Sequence, residues 1–412
     1  MADDDMVYID MPEGTSLWQR AAQLAERGDL AEAAELFGAA AALDVASVAM
    51  RASSLLNRAV ALHRLGRADE AAADYGRAAE LDGAPASVTA RALANRGELH
   101  RQSGDLDAAV ADYDRLLAIA AIEPFERAQA LLQRAALHHD LGQDGAELAD
   151  YATLLSIAEA DAETRASALY NRAALHRRLG NPAAAMEDWS ALLATPDAPP
   201  AQRASALLNR AGTQLDAGDT GAARADYEAA AGIDDTAPEL RAMALYGLGT
   251  ACAHADDLDA ALAAWSALAD AEDAPSPQRC AAGLAAGNVL RLRERLPEAD
   301  AAYTAAAALP DAPSAERCAA LYNSGVMKRL AGDAAGAASQ WATLLALPDA
   351  PGDLHAMALF GRGQCRAVDG DYDGAGEDFR AVLAAEQAPE ALIERAHEAL
   401  AATDVLRAGP AS

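Results

Sequence analysis

Ala168 to Trp189 reads ALYNRAALHRRLGNPAAAMEDW, and the chain copies this pattern nearly from end to end. Ala and Leu fill both halves and Gly180 parts them, so the stretch predicts a helix, a tight turn and a second helix. The aromatic of the second half sets the register: Phe37, Tyr75, Tyr113, Tyr151, Trp189, Tyr227, Trp265, Tyr303, Trp341 and Phe379. Each step is 38 residues, without slip across ten copies. A fixed period of this size marks a stacked repeat array.

Other columns keep the same step. The turn glycine recurs as Gly28, Gly66, Gly104, Gly142, Gly180 and Gly218, is lost at Asp256 and Glu294, and returns at Gly332 and Gly370. A small residue sits midway along each first helix, as Ala21, Ala59, Gly97, Ala135, Ala173, Ala211, Gly249, Gly287, Gly325 and Gly363. A second small column, including Ala33, Ala71, Ala109, Ala185, Ala223, Ala261, Ala299, Ala337 and Ala375, precedes the aromatic by one helical turn. Paired small residues let two helices cross closely, and the aromatic fills the space beside the crossing. The glycine supplies a left-handed helix end. A following Asp (Asp29, Asp105, Asp219, Asp333, Asp371) can cap the next helix.

This set of columns resembles the tetratricopeptide repeat, over roughly Gly14 to Ile393. The resemblance implies an all-α, right-handed superhelical solenoid of about ten helix–turn–helix repeats. The family unit is four residues shorter, and its first-helix Trp is usually Leu here (Leu55, Leu131, Leu169, Leu207, Leu321). The extra residues fall between repeats, as in Pro196 to Arg203 and Pro310 to Arg317. Asp followed by Pro reads as a helix start, so the insertion is expected to extend the first helix backwards by one turn. Residues 1–13 are acidic and aperiodic and read as a flexible leader. Residues 14–393 are the ten repeats, 388–408 a C-terminal capping helix, and 409–412 a tail, with no linker or second domain.

Composition narrows the function. The 412 residues are 52% hydrophobic but only 4% aromatic, so the apolar mass is Ala and Leu, which favour helix. A net charge of −30 argues against nucleic acid and against an anionic membrane surface. Cys252, Cys280, Cys318 and Cys365 form no CxxC, which fits a reduced, cytoplasmic protein. No signal peptide or membrane span is read from the sequence.

Four columns carry polar or binding chemistry. Arg58, Arg96, Arg134, Arg172, Arg210 and Arg362 in first helices occur with Asp74, Asp112, Asp150, Asp188, Asp226 and Asp378 in the second helices of the same repeats. Where the arginine becomes Leu248, Ala286 or Ser324, the aspartate becomes Ala264, Ala302 or Gln340. Such paired loss predicts a structural ion pair between the two helices; only Arg20 with Leu36 breaks the rule. The residue before the arginine is an amide in Asn57, Asn95, Gln133, Asn171, Asn209 and Asn323. The resemblance places this face in the concave groove, where an amide ladder can hold a peptide backbone; alternatively each amide ties neighbouring repeats. One residue earlier the column turns aromatic, with Tyr170, Tyr246, Tyr322 and Phe360, and can take apolar side chains or belong to the core. The last turn of the first helix is basic at Arg64, Arg101, Arg177, Arg178, Arg291, Lys328 and Arg329. These side chains either steer an acidic segment or complement the helix dipole.

His100, His138 and His176 recur one repeat apart, too far from each other for one zinc ion, and read as polar fillers. The run Asp369, Asp371, Asp373, Gly374 lacks the terminal Glu of a calcium loop, having Arg380 there. No P-loop, GxSxG, HExxH or CxxC pattern occurs. The expectation is therefore a scaffold or adaptor without a catalytic centre, cofactor or metal. It would grip a protein or peptide, with an acidic segment among its candidates, in the groove; the alternative is self-association through the solenoid's ends or edges.

Overall fold

The computed structural model describes residues 16–43 and 46–408. The predicted leader, 1–13, and the tail, 409–412, lie outside the described residues, as do Gly14 and Thr15. Within them the Ala- and Leu-rich segments form an all-α solenoid: twenty helices pair into ten hairpins, and Glu390–Ala408 follows as a twenty-first helix. The opening stretch becomes the fifth hairpin, Ala162–Arg178 followed by Pro182–Leu193.

The chain divides into two compact units at Pro199 and Pro200. Hairpins one to five make up the first; hairpins six to ten and Glu390–Ala408 make up the second. The 38-residue step runs through this point unbroken, so the division leaves no mark in the register. Within each unit, short turns make successive helices antiparallel neighbours. First helices also touch the first helix of the next hairpin, as Val48–Arg64 touches Ala86–Ser103 and Ser276–Leu292 touches Ser314–Leu330. Second helices make no comparable contact with one another. The first helices are thus the more closely set of the two rows.

First helices such as Pro200–Asp216 and Ser314–Leu330 run 17 residues, against 12 in second helices such as Thr220–Ala231. The inserted segment gives only its end to the helix, which begins at Pro200 or Ser314. Its Asp197 does not cap that helix but sits in the preceding turn with φ 58°. The turn geometry outlasts its glycine: Asp256 and Glu294 hold φ values of 60° and 58° where other repeats have glycine. A side chain in this left-handed region costs about 1–2 kcal/mol, so neighbouring packing holds these turns. Asp105, Asp219, Asp333 and Asp371 accept the expected capping hydrogen bond, whereas Asp29 does not.

The aromatic column holds two hairpins at once. A Cβ on Gly325 would lie 2.5 Å from Trp341 Nε1, and one on Gly361 would lie 2.8 Å from the same ring. Gly325 belongs to the hairpin of Trp341 and Gly361 to the next, so the indole is clasped from both sides. Its Nε1 donates to the Tyr322 carbonyl at 3.2 Å. Between hairpins, arginines in the first turn of a first helix donate to carbonyls at the end of the preceding second helix. Arg127 reaches Leu117 and Ile119 at 2.9 and 3.0 Å, and Arg165 reaches Leu155 and Ile157 at 3.2 and 2.8 Å. Leu117 and Leu155 end their helices, where a carbonyl has no intrahelical N–H to accept from, and the guanidinium supplies a donor.

Candidate functional site

Six guanidiniums meet the aspartate of their own hairpin. Arg96, Arg134, Arg172, Arg210 and Arg362 each donate Nε and Nη2 to both oxygens of one carboxylate, that of Asp112, Asp150, Asp188, Asp226 or Asp378. The Arg172–Asp188 distances are 2.9 and 2.6 Å. The carboxylates are buried and the guanidiniums partly so, a geometry that positions the two helices. The Asp112 hydrogen bond pushes the Arg96 pKa upward. Arg58 lies 3.1 Å from Asp74 without a well-formed hydrogen bond to that oxygen. Burial pushes the Asp74 carboxyl up, only partly offset by Arg58 and Arg77. The hairpin with Ser324 and Gln340 instead borrows from its neighbour, since Ser324 and Lys328 donate to Asp300 at 2.5 and 2.8 Å.

The amide and aromatic columns spread over three clefts along the first-helix row. Asn95 and Gln133 line a cleft of about 770 Å³ with Arg91, Tyr113, Phe125 and Gln129. Asn171, Arg177 and Arg178 line one of about 510 Å³. In the second unit, Tyr246 lines one of about 580 Å³ with Leu208, Tyr227 and Met243. Tyr170, Asn209, Tyr322 and Asn323 are half-buried and line none of these three clefts. Asn209 donates to the Ser205 carbonyl at 2.9 Å within its own helix.

Two expected ligand contacts are corrected. Asn57 is buried, surrounded by the core of the first two hairpins. Phe360 is buried too, stacked on Phe379 at 5.6 Å, with the Arg395 guanidinium of the last helix 4.7 Å from its ring centre. The end helix therefore occupies the place where a guest would meet that ring. The amide column also lies beside the preceding hairpin's aromatic: Asn171 and Tyr151 line one cleft, and Gly247 leaves room for the Tyr227 ring.

The basic column divides in a similar way. Arg101 is tied to Glu98 by two 2.7 Å hydrogen bonds, and Arg178 to Asp144 at 2.7 Å. Arg177, Arg291 and Arg329 are exposed and form no ion pair among the described residues. The histidines sit beside the ion pairs, His100 3.8 Å from Asp112 and His138 3.7 Å from Asp150. Among the described residues no group of His, Cys, Asp or Glu is placed to hold a metal ion. No described helix is long and apolar enough to cross a membrane.

Tyr113, on the wall of the largest of these clefts, is buried, and that burial with nearby Glu98 pushes its hydroxyl up to about 12. An unfolded tyrosine ionises near 10. The folded state thus favours the protonated phenol, and its contribution is full below pH ~10 and lost as pH rises toward ~12. Tyr113→Phe is expected to flatten the fall in melting temperature across that window; an unchanged slope would contradict the assignment.

The small column has one break, at Glu147, where nine other repeats have Ala. Its carboxylate is buried, accepts from Tyr151 at 3.3 Å, and lies 3.2 Å from His139 Nδ1 and 3.6 Å from Arg178. The longer side chain stands where the second cleft opens. Column comparison alone would have exposed it.

Residues 50–122 match a family model described as tetratricopeptide repeat, and residues 329–391 match a second of the same description. The chain carries tetratricopeptide repeats. Among solved structures, a tetratricopeptide repeat protein from Parabacteroides merdae is similar at 21% identity over 61% of this chain and 90% of its own, with a TM-score of 0.39. The C-terminal part of a repeat-containing protein from Cytophaga hutchinsonii is similar at 12% identity over 73% of this chain and 98% of its own, with a TM-score of 0.43. Comparison with curated proteins finds no match. One tetratricopeptide match lies in each compact unit, so both units carry the repeat.

Proposed function

We propose that this tetratricopeptide-repeat protein is a non-enzymatic adaptor or scaffold that holds a peptide or protein partner against the first-helix row of each unit. The observation that carries the reading is the coincidence of clefts and columns: Asn95 and Gln133, Asn171 with Arg177, and Tyr246 each line an open cleft on that row. An amide both donates and accepts, so it can satisfy a guest's backbone whatever its side chains. Tyr246 with Met243 offers an apolar wall, and both are exposed. Arg177 is a charge available to an acidic segment. The four cysteines are free and buried, in keeping with a reducing, cytoplasmic setting.

Self-assembly is the weaker alternative, because a net charge of −30 sets like charge against like when copies stack. Capture from host extract tests the reading. Asn95→Ala with Gln133→Ala, or Tyr246→Ala, is expected to lower recovery of the wild-type partners about tenfold or more, with little change in melting temperature. Full recovery by both variants would remove the clefts from the binding surface.

A further inference from the structure

The C-terminal edge of the first-helix row changes character within the second unit. Leu292, Leu330, Val368 and Leu406 occupy one helical position in four consecutive first-type helices, 38 residues apart. They are 67%, 56%, 81% and 56% exposed. The seven earlier copies of that position are Glu26, Arg64, Gln102, Asp140, Arg178, Asp216 and His254, all polar. Single exposed aliphatics need no explanation, but four in register make an apolar strip with one rung on each successive helix. Val405, 70% exposed, widens its far end. At the near end the preceding residues are Arg291 and Arg329, exposed and outside any ion pair among the described residues.

We propose that this strip docks an amphipathic helix of another protein, apolar at every seventh residue and acidic over Leu292 and Leu330. Packed helices lie roughly 10 Å apart, and seven residues of α-helix rise about 10.5 Å, so one apolar residue of the guest meets each rung. An extended guest is disfavoured, because an aliphatic strip offers no partners to its backbone N–H and C=O groups, whereas a helix brings its own. Arg291 and Arg329 select acid at one end, and the Val368, Val405 and Leu406 end selects apolar contact, which fixes the guest's direction. This rests on the first-helix row being the partner-binding side, and it adds the partner's chemistry.

The test uses the full chain and a labelled synthetic helical peptide of about 24 residues, with leucine at every seventh position and glutamates flanking the first two leucines. Fluorescence anisotropy is expected to show saturable binding, weakened at least about tenfold by Leu330→Asp with Val368→Asp. Arg291→Ala with Arg329→Ala should reduce the salt dependence of the affinity. Peptide affinity and partner capture by the cleft variants are read separately, so failure of the cleft reading and failure of this one are distinguishable. The substitutions lie on exposed positions, and an unchanged melt confirms folding. The proposal is overturned if a peptide with leucines at every fifth position binds equally well. It is also overturned if sedimentation shows a wild-type dimer that Leu330→Asp with Val368→Asp dissociates, since a second copy would then cover the strip.

Discussion

Replacing Asp112 by alanine is expected to lower the unfolding free energy of its unit by about 3–5 kcal/mol, the usual cost of stranding one member of a buried ion pair. The Arg96 guanidinium is only 16% exposed and gives both its Nε and Nη2 to this carboxylate. Without Asp112 it must either leave its bed or remain uncompensated. Replacing both partners should cost far less, because no charge is stranded and apolar side chains of similar volume can fill the site. The chain has made this double replacement itself, at Leu248 with Ala264 and at Ala286 with Ala302. Chemical denaturation of Asp112→Ala, Arg96→Leu and Arg96→Leu with Asp112→Leu checks the cycle. A double variant as unstable as the single would show that the pair stabilises by more than the cost of stranding.

Trp341→Ala is expected to cost a similar 3–5 kcal/mol in the second unit, the usual penalty for removing a buried large aromatic. Trp341 is 1% exposed, and its ring fills the hollow between two successive first helices. Its loss therefore loosens two hairpins and frees the Tyr322 carbonyl that accepts from Nε1. The complementary change is Gly325→Ala. In an open helix this substitution stabilises by about 1 kcal/mol. Here the new methyl meets the indole at 2.5 Å, and overpacking costs about 1–3 kcal/mol, so the sign is expected to reverse. A stabilised Gly325→Ala would show that Trp341 can move aside.

Periodicity made the hairpins legible, because one packing solution is repeated and each column reports one environment. The Arg–Asp columns disappear together because an unpaired buried charge is costly, and that rule can be read from residues alone. Accessibility was harder to read. Asn57 and Tyr246 occupy neighbouring columns, yet one is buried and the other lines a cleft, because exposure depends on how each successive hairpin leans on the last. Glu390–Ala408 covers Phe360 through Arg395, a contact that the column of Phe360 alone does not contain. The division at Pro199 and Pro200 left no trace in the register either. Glu147 and the strip from Leu292 to Leu406 were legible as breaks in columns, visible once position is compared with position across all repeats.

Site-specific photo-crosslinking in the native host tests the central claim most directly. A photoreactive residue would be placed at Gln133, at Tyr246, or at Ala191, an exposed position on a second helix. Partner crosslinks are expected from Gln133 and Tyr246 and none from Ala191. Crosslinks of equal yield from Ala191, or from Ala191 alone, would contradict the claim.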